Sequence, residues 1–346
     1  MKVQILSPDD PLWIETLQRT LYDVYQLPHY VELEAQRQNA IAESILITQD
    51  NHCLLIPYLL RQIDPDTHLE AFDIVSPYGY PGFVLSPDAP TVFIEEAFKA
   101  FIQPLREKQI CSVFLRLHPI LNQQVAAENY HSTGETIAID LTQPETVLWQ
   151  QTRSDHRKDI NRCQREGFTA RVVPLKHHIA EFNTIYEEAM DRVKANRTYY
   201  FGEAFFAELA DLEQYFHLCL IEQASEIVAA GIFTECCGIV HTYLTGTRTV
   251  ALKRSPDKFM IHTMRSWAKQ RGNRILHLGG GLGGNRDRLF EYKAGFSPDR
   301  CPFNTLRLIT NPEHYTALIQ IKAKQLDLAP KTLLQSHYFP AYRYHP

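Results

Sequence analysis

Between His277 and Pro298 the chain reads HLGGGLGGNRDRLFEYKAGFSP. Glycines packed between a strand-like run and a charged, helix-compatible segment let a ligand approach the backbone closely. A Walker A phosphate cradle needs G-x-x-x-x-G-K-[ST]; here the glycines run into Asn285, Arg286 and Asp287 instead. A dinucleotide fingerprint, G-x-G-x-x-G, is met at Gly279, Gly281 and Gly284, with Asp299 about 20 residues on. That fingerprint opens an apolar helix in a first βαβ unit. N-R-D-R follows here, late in the chain, so the match is one of chance. What remains is a loop that needs left-handed backbone, is costly to order, and is read as a functional loop.

Other residues around it could do chemistry. Asp287 either caps the short helix that follows or takes a proton. His241 and His277 fall on apolar, strand-like runs expected to be neighbours; each is first a hydrogen-bonded core residue and second an acid–base group. Tyr243 is core, or a donor to a leaving group. Arg153, Arg157, Lys158, Arg162 and Arg165 make a basic helix, diluted by Asp155, Asp159 and Glu166. Arg153 and Arg157 stand one helical turn apart and could share a phosphate-bearing ligand, although a solvated face explains them equally. The 15 histidines include His177–His178 but no H-E-x-x-H or other metal spacing, so no metal is expected.

These residues need elements to position them. SILITQD and HCLLIPYLLRQI read as strands, TVFIEEAFKAFIQPLREK as a helix, and CSVFLRLHP and TGETIAIDL as strands. One long helix is expected from about Pro144 to Glu166, stopped by Gly167. FTARVV is a strand and 177–212 two helices. YFHLCLIE, EIVAAGIFTE and GIVHTYLTG, joined by short turns, predict an antiparallel meander. SPDKFMIHTMRSWAKQRG is a helix with Ser255 as N-cap and Pro256 at its first position. Its amino end, flanked by Lys253 and Arg254, is a candidate phosphate seat. RILHLG, DRLFEYKAG and TLRLIT close the series as strand, helix and strand. A domain boundary is expected near residue 143.

The 346 residues carry net charge −5, 45% hydrophobic residues and 22% charged. This is a globular composition with material for one large or two ordinary cores, and the whole chain is no nucleic-acid wrapper. The seven cysteines include no C-x-x-C pair, which fits neither a disulfide framework nor a zinc ribbon. No run reaches the ~18–20 apolar residues of a membrane span, and MKVQILSPDDPLW is not a signal peptide. A cytoplasmic protein is expected.

The segment HLGGGLGGNRDRLFEYKAGFSP resembles the glycine-rich D-x-L-F-x-[FY]-K-x-x-F segment of FemABX-like transferases and their acetyltransferase relatives in the GNAT superfamily. DVYQLPHYVELEA (23–35), SPYGYPG (76–82), RSDHRKDINRCQREGF (153–168) and YFPAYR (338–343) are similar to further segments of that family, in the same order and over most of the chain. The resemblance implies an α/β (α+β) protein of two tandem GNAT-like domains, each a mixed, largely antiparallel sheet flanked by helices. They would span 1–143 and 144–310, with the tail 311–346 returning to the first. It implies an N-acyltransferase that moves an acyl group from acyl-CoA, or alternatively from aminoacyl-tRNA, to an amine of a sugar, cell-envelope precursor or small metabolite. A non-catalytic binding module is the third possibility. The donor site would use Lys253, Arg254, Ser255, Gly279, Gly280 and Gly281. Tyr78, Gly79, Tyr80, Arg153 and Arg157 would receive the acceptor. Lys293, the lysine of the family's [FY]-K pair, would stabilise charge at the transfer centre, with Asp287, Tyr243 and His277 beside it. One departure bears on the donor: acyl-CoA enzymes of the superfamily carry a glycine turn before the main helix, and this chain has KRSPDKFM (253–260) there.

Overall fold

The computed structural model describes residues 1–63, 71–123, 130–336 and 338–345. Contacts divide the chain into two units, residues 1–133 with 303–346, and residues 134–302. The first unit contains β1 (Lys2–Leu6), α1 (Pro11–Leu17), α2 (Pro28–Gln38), β2 (Ile41–Gln49), β3 (His52–Gln62), β4 (Phe72–Val75), β5 (Val84–Leu85), α3 (Thr91–Glu107) and β6 (Ile110–Arg116). The chain then runs through β7 (Tyr130–Asp140), α4 (Glu145–Gln151), α5 (Ser154–Arg165), β8 (Thr169–Pro174), α6 (Ile179–Arg192) and α7 (Gly202–Ala210). β9 (Phe216–Gln223), β10 (Glu226–Cys236), β11 (Ile239–Thr247), α8 (Pro256–Gln270), β12 (Ile275–Gly280) and α9 (Arg288–Ala294) follow. β13 (Arg300–Ile309), α10 (Pro312–Gln325) and α11 (Pro330–Gln335) bring the chain back to the first unit. Among the described residues no helix is long and apolar enough to cross a membrane.

In the first unit the strands run β1-β2-β3-β4-β6-β13, with β5 on β3. Pairing is antiparallel except between β4 and β6. Phe93, Ala97, Phe101 and Leu105 recur every fourth residue on α3, which puts them on one face, and they close the core over Ile45, Ile47, Leu54 and Ile56. The second unit orders β7-β12-β11-β10-β9-β8. β9, β10 and β11 form the expected antiparallel meander, while β11 and β12 run parallel. Ile261, Met264 and Ala268 of α8 fill its core against Phe233 and Val240. The fold class is therefore the mixed, largely antiparallel one, and the antiparallel β10–β11 pair rules out a doubly wound parallel sheet.

Two local expectations change. The single helix over 144–166 is two, α4 and α5. The backbone of Thr152 turns extended (φ −67°, ψ 126°), the amide of Arg153 leaves the helix for the Gly295 carbonyl at 2.7 Å, and Arg157 Nη1 collects the carbonyls of Trp149, Gln150 and Thr152 that the break exposes. Ser255 does not cap α8 with its side chain. It is left-handed (φ 55°, ψ 52°), ending the 3-10 turn Thr249–Arg254 that precedes the helix. The contact boundaries fall at 133/134 and 302/303, beside the expected 143 and 310.

Candidate active site

The second unit holds a wedge between two strands. β11 and β12 pair in parallel from Ile239↔Ile275 to His241↔His277. Beyond that, β11 continues to Thr247 and β12 to Gly280. On its other edge β12 follows β7, with an irregularity between His277 and Gly279. The strands part where the two histidines meet. His241 Nδ1 lies 2.9 Å from His277 Nδ1, and His277 Nε2 lies 2.8 Å from Thr136 Oγ1. The Thr136 hydroxyl donates onward to the Cys301 carbonyl at 3.4 Å, so it accepts from His277 Nε2–H. His277 Nδ1 is then the acceptor and His241 Nδ1–H the donor, an assignment made from the network. Both rings are buried. Tyr243 stands beyond the last paired residue, with its ring edge-on to Phe216 at 5.5 Å.

Lys293 occupies the other end of β12. Its Nζ donates to the Gly280 carbonyl at 2.7 Å. Burial pushes this amine down to about 8, against the pull of Asp287. Asp287 closes the glycine loop and caps α9 together: Oδ2 accepts from Leu282 N and Oδ1 from Phe290 N, both at 2.9 Å. Burial raises the Asp287 carboxyl, but the amides of Phe290, Leu282 and Leu289 and the charge of Lys293 outweigh it and hold the group below its ordinary value. A carboxylate held in this way is a clamp and a poor base.

The glycines have a packing reason. A Cβ on Gly281 would meet Asn285 O at 2.0 Å, and one on Gly280 would meet Glu135 O at 2.7 Å. The loop thus folds tightly on itself and on β7. Beside it lies an open cleft of about 520 Å³ lined by Arg153, His156, Lys258, Arg286, Asp287, Arg288, Glu291 and Tyr292. Four cations from α5, α8, the loop and α9 meet there.

The structure brings together Lys293, Asp287 and Gly279–Gly281, and places Arg153 in the adjoining cleft. Arg157 is turned away to the carboxyl end of α4. Lys253 and Arg254 offer their backbone carbonyls to α5, and the Arg254 side chain goes to Glu166 and Gln223. Tyr78, Gly79 and Tyr80 lie in the first unit. There the amide of Tyr78 reaches Glu34, its carbonyl accepts from Tyr30, and Gly79 (φ +92°) lies flat against Tyr25 where no Cβ would fit. Lys258, Arg286 and Arg288 were missed in the sequence because nothing in it brings their three elements together.

Residues 151–294 match the family model described as an acetyltransferase (GNAT) domain. The crystal structure of FemX aligns over 88% of this chain and 97% of its own, with TM-score 0.64 at 10% identity. Residues 151–294 match a GNAT domain, and the chain shares its fold with FemX. Two further structures share the fold at 14% identity and TM-score 0.55. They are the C-terminal domain of a putative lysylphosphatidylglycerol synthetase from Agrobacterium fabrum, covering 90% of this chain and 97% of that one, and L-PGS from Bacillus licheniformis, covering 88% and 93%. No curated protein matches the chain in sequence. The GNAT match lies inside the second unit, and the parted strands, the histidine pair, Lys293 and the cationic cleft lie in the same unit.

Proposed function

We propose that the chain is an N-acyltransferase whose acyl carbonyl lies between the parted ends of β11 and β12. The observation that carries this reading is the wedge itself, with the His241–His277 pair at its apex and Lys293 pinned to β12 at its rim. An acceptor amine attacks the carbonyl, a C–N bond forms, and the carbonyl π electrons move to oxygen. When they return, the bond to the donor's leaving oxygen or sulfur breaks. Lys293, as the ammonium, stabilises the oxyanion in a site where water is scarce. The histidine pair takes the proton the amine loses, and Tyr243, on the parted stretch, donates to the leaving atom in this reading. No nucleophile on the protein is required.

Acceptors of this reading are amines on a sugar, a cell-envelope precursor or a small metabolite. The donor is an ester or thioester on a phosphate-bearing carrier. Arg153, Arg286 and Arg288 favour aminoacyl-tRNA over acyl-CoA, because a cleft lined by arginines from three elements suits a run of phosphates. The test sets calorimetry with acetyl-CoA beside filter binding of charged tRNA across a salt series, with product read by mass spectrometry. A steep fall of tRNA affinity with salt, and transfer of the aminoacyl group to an amine, are expected. Binding with no product from either donor would leave only a binding module.

A further inference from the structure

The amino end of α8, where Lys253, Arg254 and Ser255 suggested a seat for a donor phosphate, is filled from within. Asp257 is in the first turn of the helix. Its carboxylate is set against its own backbone amide, that of Lys258, and the Tyr292 hydroxyl of α9. α5 covers the approach. Arg162 Nη2 donates to Lys253 O at 3.1 Å, and the Cys163 thiol to Arg254 O at 3.2 Å. Lys258 Nζ is 2.7 Å from Asp159 and 3.8 Å from Asp155. A phosphate arriving here would meet three carboxylates, carbonyl oxygens turned toward α5, and a lysine already neutralised. Helix amino ends attract anions, and this one has its anion built in. Burial raises the Asp257 carboxyl above the ordinary aspartate value, while Tyr292, the two amides and Lys258 oppose that rise.

We propose that Asp257 is a specificity determinant for the donor: it occupies the amino end of α8, keeps a pyrophosphate out of it, and leaves the donor's phosphates to the neighbouring cationic cleft. By holding Tyr292 it also fixes the α9 turn that carries Lys293. The inference rests on the acyltransferase reading for its meaning, yet its test needs no turnover, so either can fail alone.

The test is calorimetry of the full chain at pH 7.5 and low salt with inorganic pyrophosphate and with coenzyme A, comparing the wild type, Asp257→Asn and Asp257→Ala. Asparagine keeps the shape and one acceptor while removing the charge, which covers the case that alanine unsettles the helix; circular dichroism checks that each variant is folded. Both variants are expected to bind either ligand at least about tenfold more tightly than the wild type, a change of ~1.4 kcal/mol. The gain should persist in an Arg286→Ala background, which places it at the helix end and not in the cleft. Equal binding by the wild type and the folded variants would overturn the proposal, as would a gain that vanishes with Arg286.

Discussion

Lys293 carries its charge where burial disfavours it, and two consequences follow from its value of about 8. Its ordinary value is about 10.4, so the folded state disfavours the ammonium form. The penalty is fully present below about 8 and fades as pH rises toward the unfolded value, where the amine is neutral in both states. Lys293→Met should therefore be at least as stable as the wild type at pH 7 in urea unfolding, with the advantage shrinking by pH 10. The same variant should lose about 10²–10³ in turnover, the usual cost of one oxyanion donor. If the ammonium is the working form, wild-type kcat falls as pH rises through about 8, and Lys293→Arg moves that limb upward. A rate that instead climbs through pH 8 with this lysine would make it the base. Lys293 stood out in the sequence only through the resemblance, as the lysine of the [FY]-K pair, whereas Asp287 was legible as a helix cap, the role it has toward Phe290 N. Asp257 was not, because an aspartate in a first helical turn is ordinary and only the packing of α5 and α9 gives it further meaning.

Elements were legible where periodicity is long and strong. The meander, α3 and α8 follow from alternation of period 2 or of 3.6. The α4–α5 break did not, because it is made by a distant carbonyl, Gly295 O, that draws the Arg153 amide out of register. The glycine loop was seen correctly as irregular, but its reason lies in packing as much as in dihedral freedom. Gly281 has an ordinary φ of −81°, yet a Cβ there would sit 2.0 Å from Asn285 O and 2.5 Å from Asp287 Oδ1. Gly283 has φ +63° and nothing nearer than Asn285 Nδ2 at 3.7 Å. Gly283→Ala should cost about 1–2 kcal/mol in urea unfolding, the left-handed penalty, and leave turnover within a few-fold. Gly281→Ala should displace the Asp287 cap, worth ~1 kcal/mol, and cost about 10² in turnover by shifting Lys293. If the alanine at 281 leaves turnover intact, the loop's fold does not position the lysine.

At the scale of the whole chain, the first unit is assembled from both ends of the sequence. Its buried Asp73 takes Arg61 at 2.8 Å from β3, and Arg343 at 2.8 Å and the Tyr342 hydroxyl at 3.1 Å from the last residues. The tail segment YFPAYR was recognisable by resemblance, but its partner was not, since a lone aspartate in FDIV carries no mark of what will meet it. Arg343→Ala should weaken the first unit by about 1.5–3 kcal/mol, the worth of hydrogen bonds to a charged group, seen as faster amide exchange in β4 and β6. The second unit, by contrast, is one unbroken stretch. On a ribosome its whole sequence has emerged once Pro302 is out, while the first unit still waits for β13, the neighbour of β6. Until β13 has emerged, the nascent chain carries the GNAT-matching stretch together with a bare β6 edge bearing Cys111, Val113 and Leu115. Chains terminated early should for that reason aggregate through their oldest residues, although the missing residues are the newest.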